Sequence, residues 1–449
     1  MLLGNTTGKI TSQHGLFYDY LINTFSTDFA KGYLEANENA IHSIKNIIDN
    51  ENIECDFEFQ DNFVYTNLEE EVTKIKHEVL AVNSLGVNAE LVNTIDLPID
   101  ILSAIKFPNQ AQFNPLKYIN GLCNCILSNN GEIYENSKVY DVKKSTDGYD
   151  VFTKNNTITS KYVVLATHYP IINAPGFYFL KMYQEASYII GIETKAPLFN
   201  GMYINTKSPV ASFRTANYNG KKIVLIGGSE HKVGSGEDLS NCYKNLENMA
   251  KSIYPDCNVL FRWQTQDCIS LDKIPYIGEF SSMMPNVYVA TGFKKWGMST
   301  SDVAAQIICD KIVEKENKYE DIFLSTRFEP IKNGTEFTNM LKQVSTSLVL
   351  DKFKIPSETL DSVKKDEGKI IEYEDVKIGI YKDNEGKIYT IKPICSHLGC
   401  ELSWNNLEKT WDCPCHGSRF SYDGKSLYDP SIKSRRPSGL RKTKFVFNS

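Results

Sequence analysis

No apolar run in this 449-residue chain reaches the roughly eighteen residues that a bilayer-spanning helix needs. The N-terminus has no basic stretch leading into an apolar one, which argues against a secretory leader. Neither sign of charge dominates, with 49 basic against 55 acidic residues and a net charge of −6; general nucleic-acid binding is therefore not expected. There is no internal repeat. A G-x-G-x-x-G turn is also missing: Gly234-Ser235-Gly236 follows a strand-to-turn junction and has no third glycine in place. These absences leave a cytoplasmic protein as the expectation.

Cysteine is not scarce, but most of it lacks pattern. Of eleven cysteines, Cys55, Cys123, Cys125, Cys242, Cys257, Cys268 and Cys309 are irregularly spaced, which suggests reduced core thiols rather than a disulfide framework. One pair, Cys123-x-Cys125, is weak evidence of a metal.

The remaining four lie in a patterned segment. Cys395-Ser-His397 and Cys413-Pro-Cys-His416 sit in two short loops separated by residues 401–412. Each loop offers one thiol and one imidazole, the ligand set of a Rieske [2Fe–2S] cluster, in which Cys395 and Cys413 hold one iron and His397 and His416 the other. Two neutral imidazoles in place of two thiolates remove negative charge and raise the reduction potential. Tetrahedral zinc accepts the same residue types but usually pairs Cys with Cys and His with His. The mixed loops favour iron.

Cys400 follows the first loop's ligands and Cys415 lies between those of the second, either as free thiols or as a disulfide joining the loops. The arrangement resembles the disulfide-containing Rieske proteins of cytochrome bc-type complexes, and the resemblance implies the Cys400–Cys415 bond. In that group a Ser and a Tyr after the second loop donate hydrogen bonds to the cluster sulfurs. This chain keeps Ser418 and has Phe420 where the Tyr would be, so a lower potential than in those relatives is expected. The basic residues Lys433, Arg435, Arg436, Arg441, Lys442 and Lys444 read as a solvated face or a dock for an acidic redox partner.

Apolar spacing predicts helices over 26–49 and 68–82. Residues 132–166 read as short strands with a turn at Asp147-Gly148, followed by strands at 186–194, 210–214, 222–228 and 286–291 and a helix over 300–314. This pattern predicts an α/β domain over 1–324 with an inserted, mostly antiparallel substrate sheet. A linker over 325–355, with a short helix near 336–348, then leads to a small all-β domain over 356–449.

The first domain resembles the FAD-dependent oxidoreductases of the D-amino-acid oxidase and glycine oxidase type. Gly4-Asn5-Thr6-Thr7-Gly8-Lys9 looks like that family's small-residue loop against the flavin diphosphate, where backbone N–H groups approach phosphate closely. The segment 162–170 resembles the strand and turn beside the dinucleotide, and 226–234 one bordering the active site. The stretch 272–299 resembles the family's strand, glycine turn at Gly292 and helix start, and implies that Gly297, Met298 and Ser299 face the flavin N1–C2=O edge, with help from Lys294 or Lys295. The family's opening βαβ unit and its ribose-binding acidic residue are not found, so the chain is expected to start downstream of that unit. FAD should therefore bind this form poorly.

The resemblance implies a flavin and Rieske oxidoreductase that oxidises an amine or amino-acid C–N bond through FAD. Electrons would then pass through the [2Fe–2S] cluster to an external acceptor. The alternative is a non-catalytic electron carrier or redox sensor with a degenerate docking domain. No catalytic base is identified; His168 and His231 are candidates to face the flavin, and Tyr203 and Arg214 candidates to bind a substrate carboxylate.

Overall fold

The computed structural model describes residues 2–172, 174–206, 210–234, 239–327, 362–373, 376–428, 430–431 and 433–435. The expected helix near 336–348, most of the expected linker and the basic residues beyond Arg435 lie outside the described residues. Two compact units are present, one of residues 1–178, 185–231 and 241–328, the other of residues 179–184, 232–240 and 329–449.

In the larger unit a nine-stranded sheet runs in the order Lys9–Ile10, Ser103–Gln112, Glu58–Thr66, Met202–Asn205, Ser212–Tyr218, Lys221–Lys232, Met182–Glu193, Asn258–Ser270, with Glu90–Val92 also paired to Ser103–Gln112. Lys9–Ile10, Glu58–Thr66 and Glu90–Val92 pair antiparallel with Ser103–Gln112, Met202–Asn205 and Lys221–Lys232 pair antiparallel with Ser212–Tyr218, and Met202–Asn205 lies parallel to Glu58–Thr66. This is the mostly antiparallel sheet expected from the strand signals. A second sheet joins Tyr276–Glu279, Val287–Thr291 and Val163–Leu165, the last two parallel. Among the described residues Val163–Leu165 is its edge, and Val164 is 44% exposed there.

Six helices are described: α1 (Tyr18–Thr24), α2 (Thr27–Asn50), α3 (Glu69–Ser84), α4 (Pro115–Ser128), α5 (Cys242–Ile253) and α6 (Gly297–Ile312). Helix α2 starts where the Ser26 side chain accepts from Phe29 N, a cap whose loss to Ala costs about 1 kcal/mol. Its Tyr33, Ala36, Ala40 and Ile44 are buried and it packs on α6, which buries Val303, Ala304, Ile307 and Ile308. These two apolar stripes form much of the core. Helix α4 was not foreseen, although Asn114-Pro115 carries its start signal: the Asn114 side chain accepts from Leu116 N and Lys117 N, and Pro115 fills the first turn.

The smaller unit carries a three-stranded sheet (Glu367–Tyr373, Val376–Lys382, Ile388–Ile391) and a four-stranded one (Ser403–Asn405, Thr410–Asp412, Arg419–Ser421, Ser426–Tyr428). Trp411, Phe420, Leu402 and Ile391 fill its centre. Beside them Arg419 Nε donates to Asp412 Oδ1 at 3.0 Å with both side chains buried, and Asn405 and Thr410 also donate to that carboxylate. Each charge is matched, which a buried pair requires.

Candidate metal centre and flavin site

The two ligand-bearing loops are built alike. In the first, Cys395 N donates to Cys400 O and Gly399 N to Cys395 O; in the second, Cys413 N donates to Ser418 O and Gly417 N to Cys413 O. Gly399 and Gly417 adopt φ of 84° and 72°, the left-handed region where glycine carries no Cβ penalty. The repeated scaffold points the donors inward from both loops.

Cys400 and Cys415 are bonded to each other. The sulfurs of Cys400, Cys413 and Cys415 lie within 4.8 Å of one another, but the disulfide leaves only Cys413 of the three able to act as a thiolate ligand. Its partner is Cys395: the Cys413 thiol donates to the Cys395 sulfur, which holds Cys395 down to about 7 and pushes Cys413 up. The rings of His397 and His416 are perpendicular, with centroids 4.9 Å apart. Burial lowers both, to about 4 and about 3, so both imidazoles are neutral at pH 7. Two thiols and two neutral imidazoles thus converge, a donor set that fits a [2Fe–2S] cluster with one sulfur pair and one nitrogen pair. Ser418 donates to Cys395 and accepts from Ser431 N, while Phe420 is fully buried in the core. Arg435, read as part of a solvated face or a partner dock, is half-buried and donates through Nη1 to Ile394 O.

In the larger unit, no side chain caps the N-terminus of α6 at Trp296, where the first turn holds Gly297, Met298 and Ser299. Ser299 Oγ donates to Thr11 O, which also receives His14 Nε2 at 2.8 Å. An open helix terminus fits the electron-rich edge of a flavin. The turn before it is strained: Gly292, Lys294 and Lys295 have φ of 73°, 48° and 70°, and each non-glycine residue held so costs roughly 1–3 kcal/mol. Lys295 is ion-paired to Glu185 at 3.0 Å and to Glu230. Lys294 lies 3.8 Å over the Phe17 ring, and burial lowers it to about 7.

The small-residue loop divides between two places. Gly8, at φ 71°, sits where a Cβ would meet Phe113 O at 2.6 Å, and the strand after it leads to Thr11 and the α6 terminus. Gly4, Thr6 and Thr7 instead line a cavity of about 430 Å³ together with Gln112, Arg214 and Trp263.

Loop 11–17, which sequence reasoning missed, carries a dense buried network. His14 is stacked 4.9 Å from Trp296, and burial takes its pKa down to about 3. Gln13 Oε1 accepts from Asn62 Nδ2. Gln110 Oε1 receives Ser12 N and Thr11 Oγ1, and the Glu78 carboxylate receives the backbone N–H groups of Phe17, Tyr18 and Asp19. The available signal was Gln13-His14-Gly15, directly after the small-residue loop.

Several expectations change. Arg214 is buried and lines the same cavity as Thr6 and Thr7, with Nη1 donating to Gly8 O and Phe113 O while Nε has no hydrogen-bond partner among the described residues. The Tyr203 hydroxyl is held by Asn200 O, so Tyr203 is committed to backbone and Arg214 only in part. His168 takes φ 64°, and burial lowers it to about 4. His231 stacks on Tyr188 at 5.7 Å. Only Cys55 and Cys268 of the seven scattered thiols are buried, and Cys309 is exposed. Cys125 donates to Glu51, and no metal-ligating group including Cys123 or Cys125 is found among the described residues. No helix of the described residues is long and apolar enough to cross a membrane.

Fold and sites together define a flavin-dependent oxidoreductase fused to an iron–sulfur domain. Residues 4–311 match the FAD dependent oxidoreductase family and residues 355–442 the Rieske [2Fe-2S] domain, and the chain belongs to the FAD dependent oxidoreductase family. FAD and a [2Fe-2S] cluster are the cofactors these domains imply. A relative along nearly the whole length is the Rieske 2Fe-2S iron-sulfur protein YhfW of Bacillus subtilis (strain 168), 37% identical over 429 residues, covering 96% of this chain and 84% of the relative. Glycine oxidase from Geobacillus kaustophilus shares the fold at TM-score 0.61 and 16% identity, over 73% of this chain and 89% of that one. L-proline dehydrogenase from P. horikoshii does so at TM-score 0.61 and 16% identity, over 73% and 87%.

Proposed function

We propose that the protein oxidises a C–N bond of an amine or amino acid, with FAD supplying the two-electron chemistry and a [2Fe–2S] cluster the one-electron outlet to an external acceptor. The observation that carries this reading is the convergence of Cys395, Cys413, His397 and His416 in a chain whose other domain belongs to a flavin oxidoreductase family. In this reading Cys395 and Cys413 hold one iron, and His397 and His416 the other. Gly297, Met298 and Ser299 offer N–H groups to the flavin pyrimidine edge, Gly292 shapes the preceding turn, and Gly4, Thr6, Thr7 and Gly8 approach the diphosphate. The flavin domain spans 1–324, the linker 325–355 and the Rieske domain 356–449. The amine or amino-acid substrate is supported by fold neighbours named as a glycine oxidase and an L-proline dehydrogenase. Two lysines near neutrality beside the turn and loop, Lys9 and Lys294, each lowered to about 7 chiefly by burial, are suited to proton handling.

Anaerobic addition of candidate amines and amino acids to the FAD- and cluster-loaded protein tests the reading. Flavin bleaching followed by the electron paramagnetic resonance signal of a reduced cluster is the expected result. A flavin that no such compound bleaches, in protein whose cluster dithionite reduces normally, would overturn it.

A further inference from the structure

The two histidines differ in surroundings. His416 is 1% exposed, whereas His397 is half-buried. The difference comes from segments outside the Rieske motif but inside the same compact unit. The Phe179 ring stands edge-on to His416, with centroids 5.8 Å apart and planes at 88°, and both nitrogens of the His416 imidazole are buried. A Cβ on Gly417 would meet Gln184 Oε1 at 2.4 Å, and one on Gly234 would meet Pro414 Cα at 2.4 Å. Val233 N donates to Gln184 O, joining the two walls. The second loop is therefore flanked by residues 179–184 and 233–234, and two of the approaches are made at glycines where a side chain would collide.

We propose that Phe179 is the positioning residue that seals and orients His416, so that the imidazole pair has one closed member, His416, and one open member, His397. Resting on the cluster assignment above, this goes beyond it by assigning each histidine a different face. An edge-on ring packed against an enclosed imidazole restricts its rotation. The enclosure also keeps water from the imidazole N–H on that side. Among the described residues, an external one-electron acceptor then reaches the imidazole pair from the His397 side.

The test needs no substrate. Dithionite-reduced, cluster-loaded protein is exposed to D2O for timed intervals and frozen, and deuterium at the imidazole N–H groups is read by pulsed electron paramagnetic resonance. Two exchange phases are expected in the native protein, the slower by at least roughly tenfold, as for a protected donor. In Phe179→Ala the slow phase should merge with the fast one and the g-values should shift, while the fast phase is unchanged. A single phase in the native protein, or a slow phase that survives Phe179→Ala unchanged, would overturn the proposal. Should Phe179→Ala fail to retain a cluster, the number of phases in the native protein alone decides. Two phases in protein whose flavin no amine bleaches would leave this inference standing and remove only the substrate reading.

Discussion

The Tyr33 hydroxyl donates to Nδ1 of His14 at 2.6 Å while Nε2 of the same ring faces the Thr11 carbonyl at 2.8 Å. A carbonyl can only accept, so Nε2 carries the proton and Nδ1 receives one from tyrosine. The neutral ring is thereby fixed in one tautomer beside the uncapped terminus of α6.

The burial of His14 has a measurable pH signature. The folded His14 pKa lies near 3, against an ordinary value of 6.5. The unfolded chain therefore binds more protons between these values, and stability from this site is complete above about 6.5 and falls as pH drops toward 3. Tyr33→Phe should cost about 1–3 kcal/mol at pH 7, the penalty of a buried acceptor without a donor. Denaturant titrations across that pH range check both; a pH-independent midpoint in the native protein would contradict the sign.

Cluster potential should follow the hydroxyls. Ser418→Ala removes a donor to the Cys395 sulfur, leaving more negative charge uncompensated, and should lower the midpoint potential. Phe420→Tyr adds a donor and should raise it, each change being on the order of 1 kcal/mol per hydrogen bond. Potentiometric titration followed by electron paramagnetic resonance gives both values. No rise in Phe420→Tyr would show that the buried ring does not point its para position at the sulfurs.

Thiol counting tests the loop clamp. Denatured, metal-free protein should show nine reactive thiols before reduction and eleven after it, matching nine free cysteines and one disulfide. The double substitution Cys400→Ser with Cys415→Ser should destabilise the domain by about 3 kcal/mol, the chain-entropy value for a closed loop of this size. Eleven thiols before reduction would remove the bond.

The metal centre was legible because its chemistry is local: Cys395, His397, Cys413 and His416 lie in two short segments, and their spacing alone names the donor set. Helix α2 was legible for a similar reason, since Ser26 and a 3.6-residue apolar rhythm sit side by side in the chain. The seal on His416 was not, because Phe179 and Gly234 are more than 180 residues from it in sequence and carry no pattern of their own. The surroundings of Arg214 were not legible either, because a lone arginine in a strand says nothing about its acceptors, and Nη1 meets two backbone carbonyls distant in sequence. His14 was overlooked because its partners, Tyr33, Trp296 and the Thr11 carbonyl, come together only on folding.

Loop 11–17 is bracketed at both ends by side chains outside it, Gln110 at its upstream end and the Glu78 carboxylate at its downstream end. Its backbone course is thus held by neighbours at both ends as well as by its own His14 and Thr11 side chains within. A change at Glu78, which lies outside the segment, would therefore unmoor its downstream end by leaving the N–H groups of Phe17, Tyr18 and Asp19 without their acceptor.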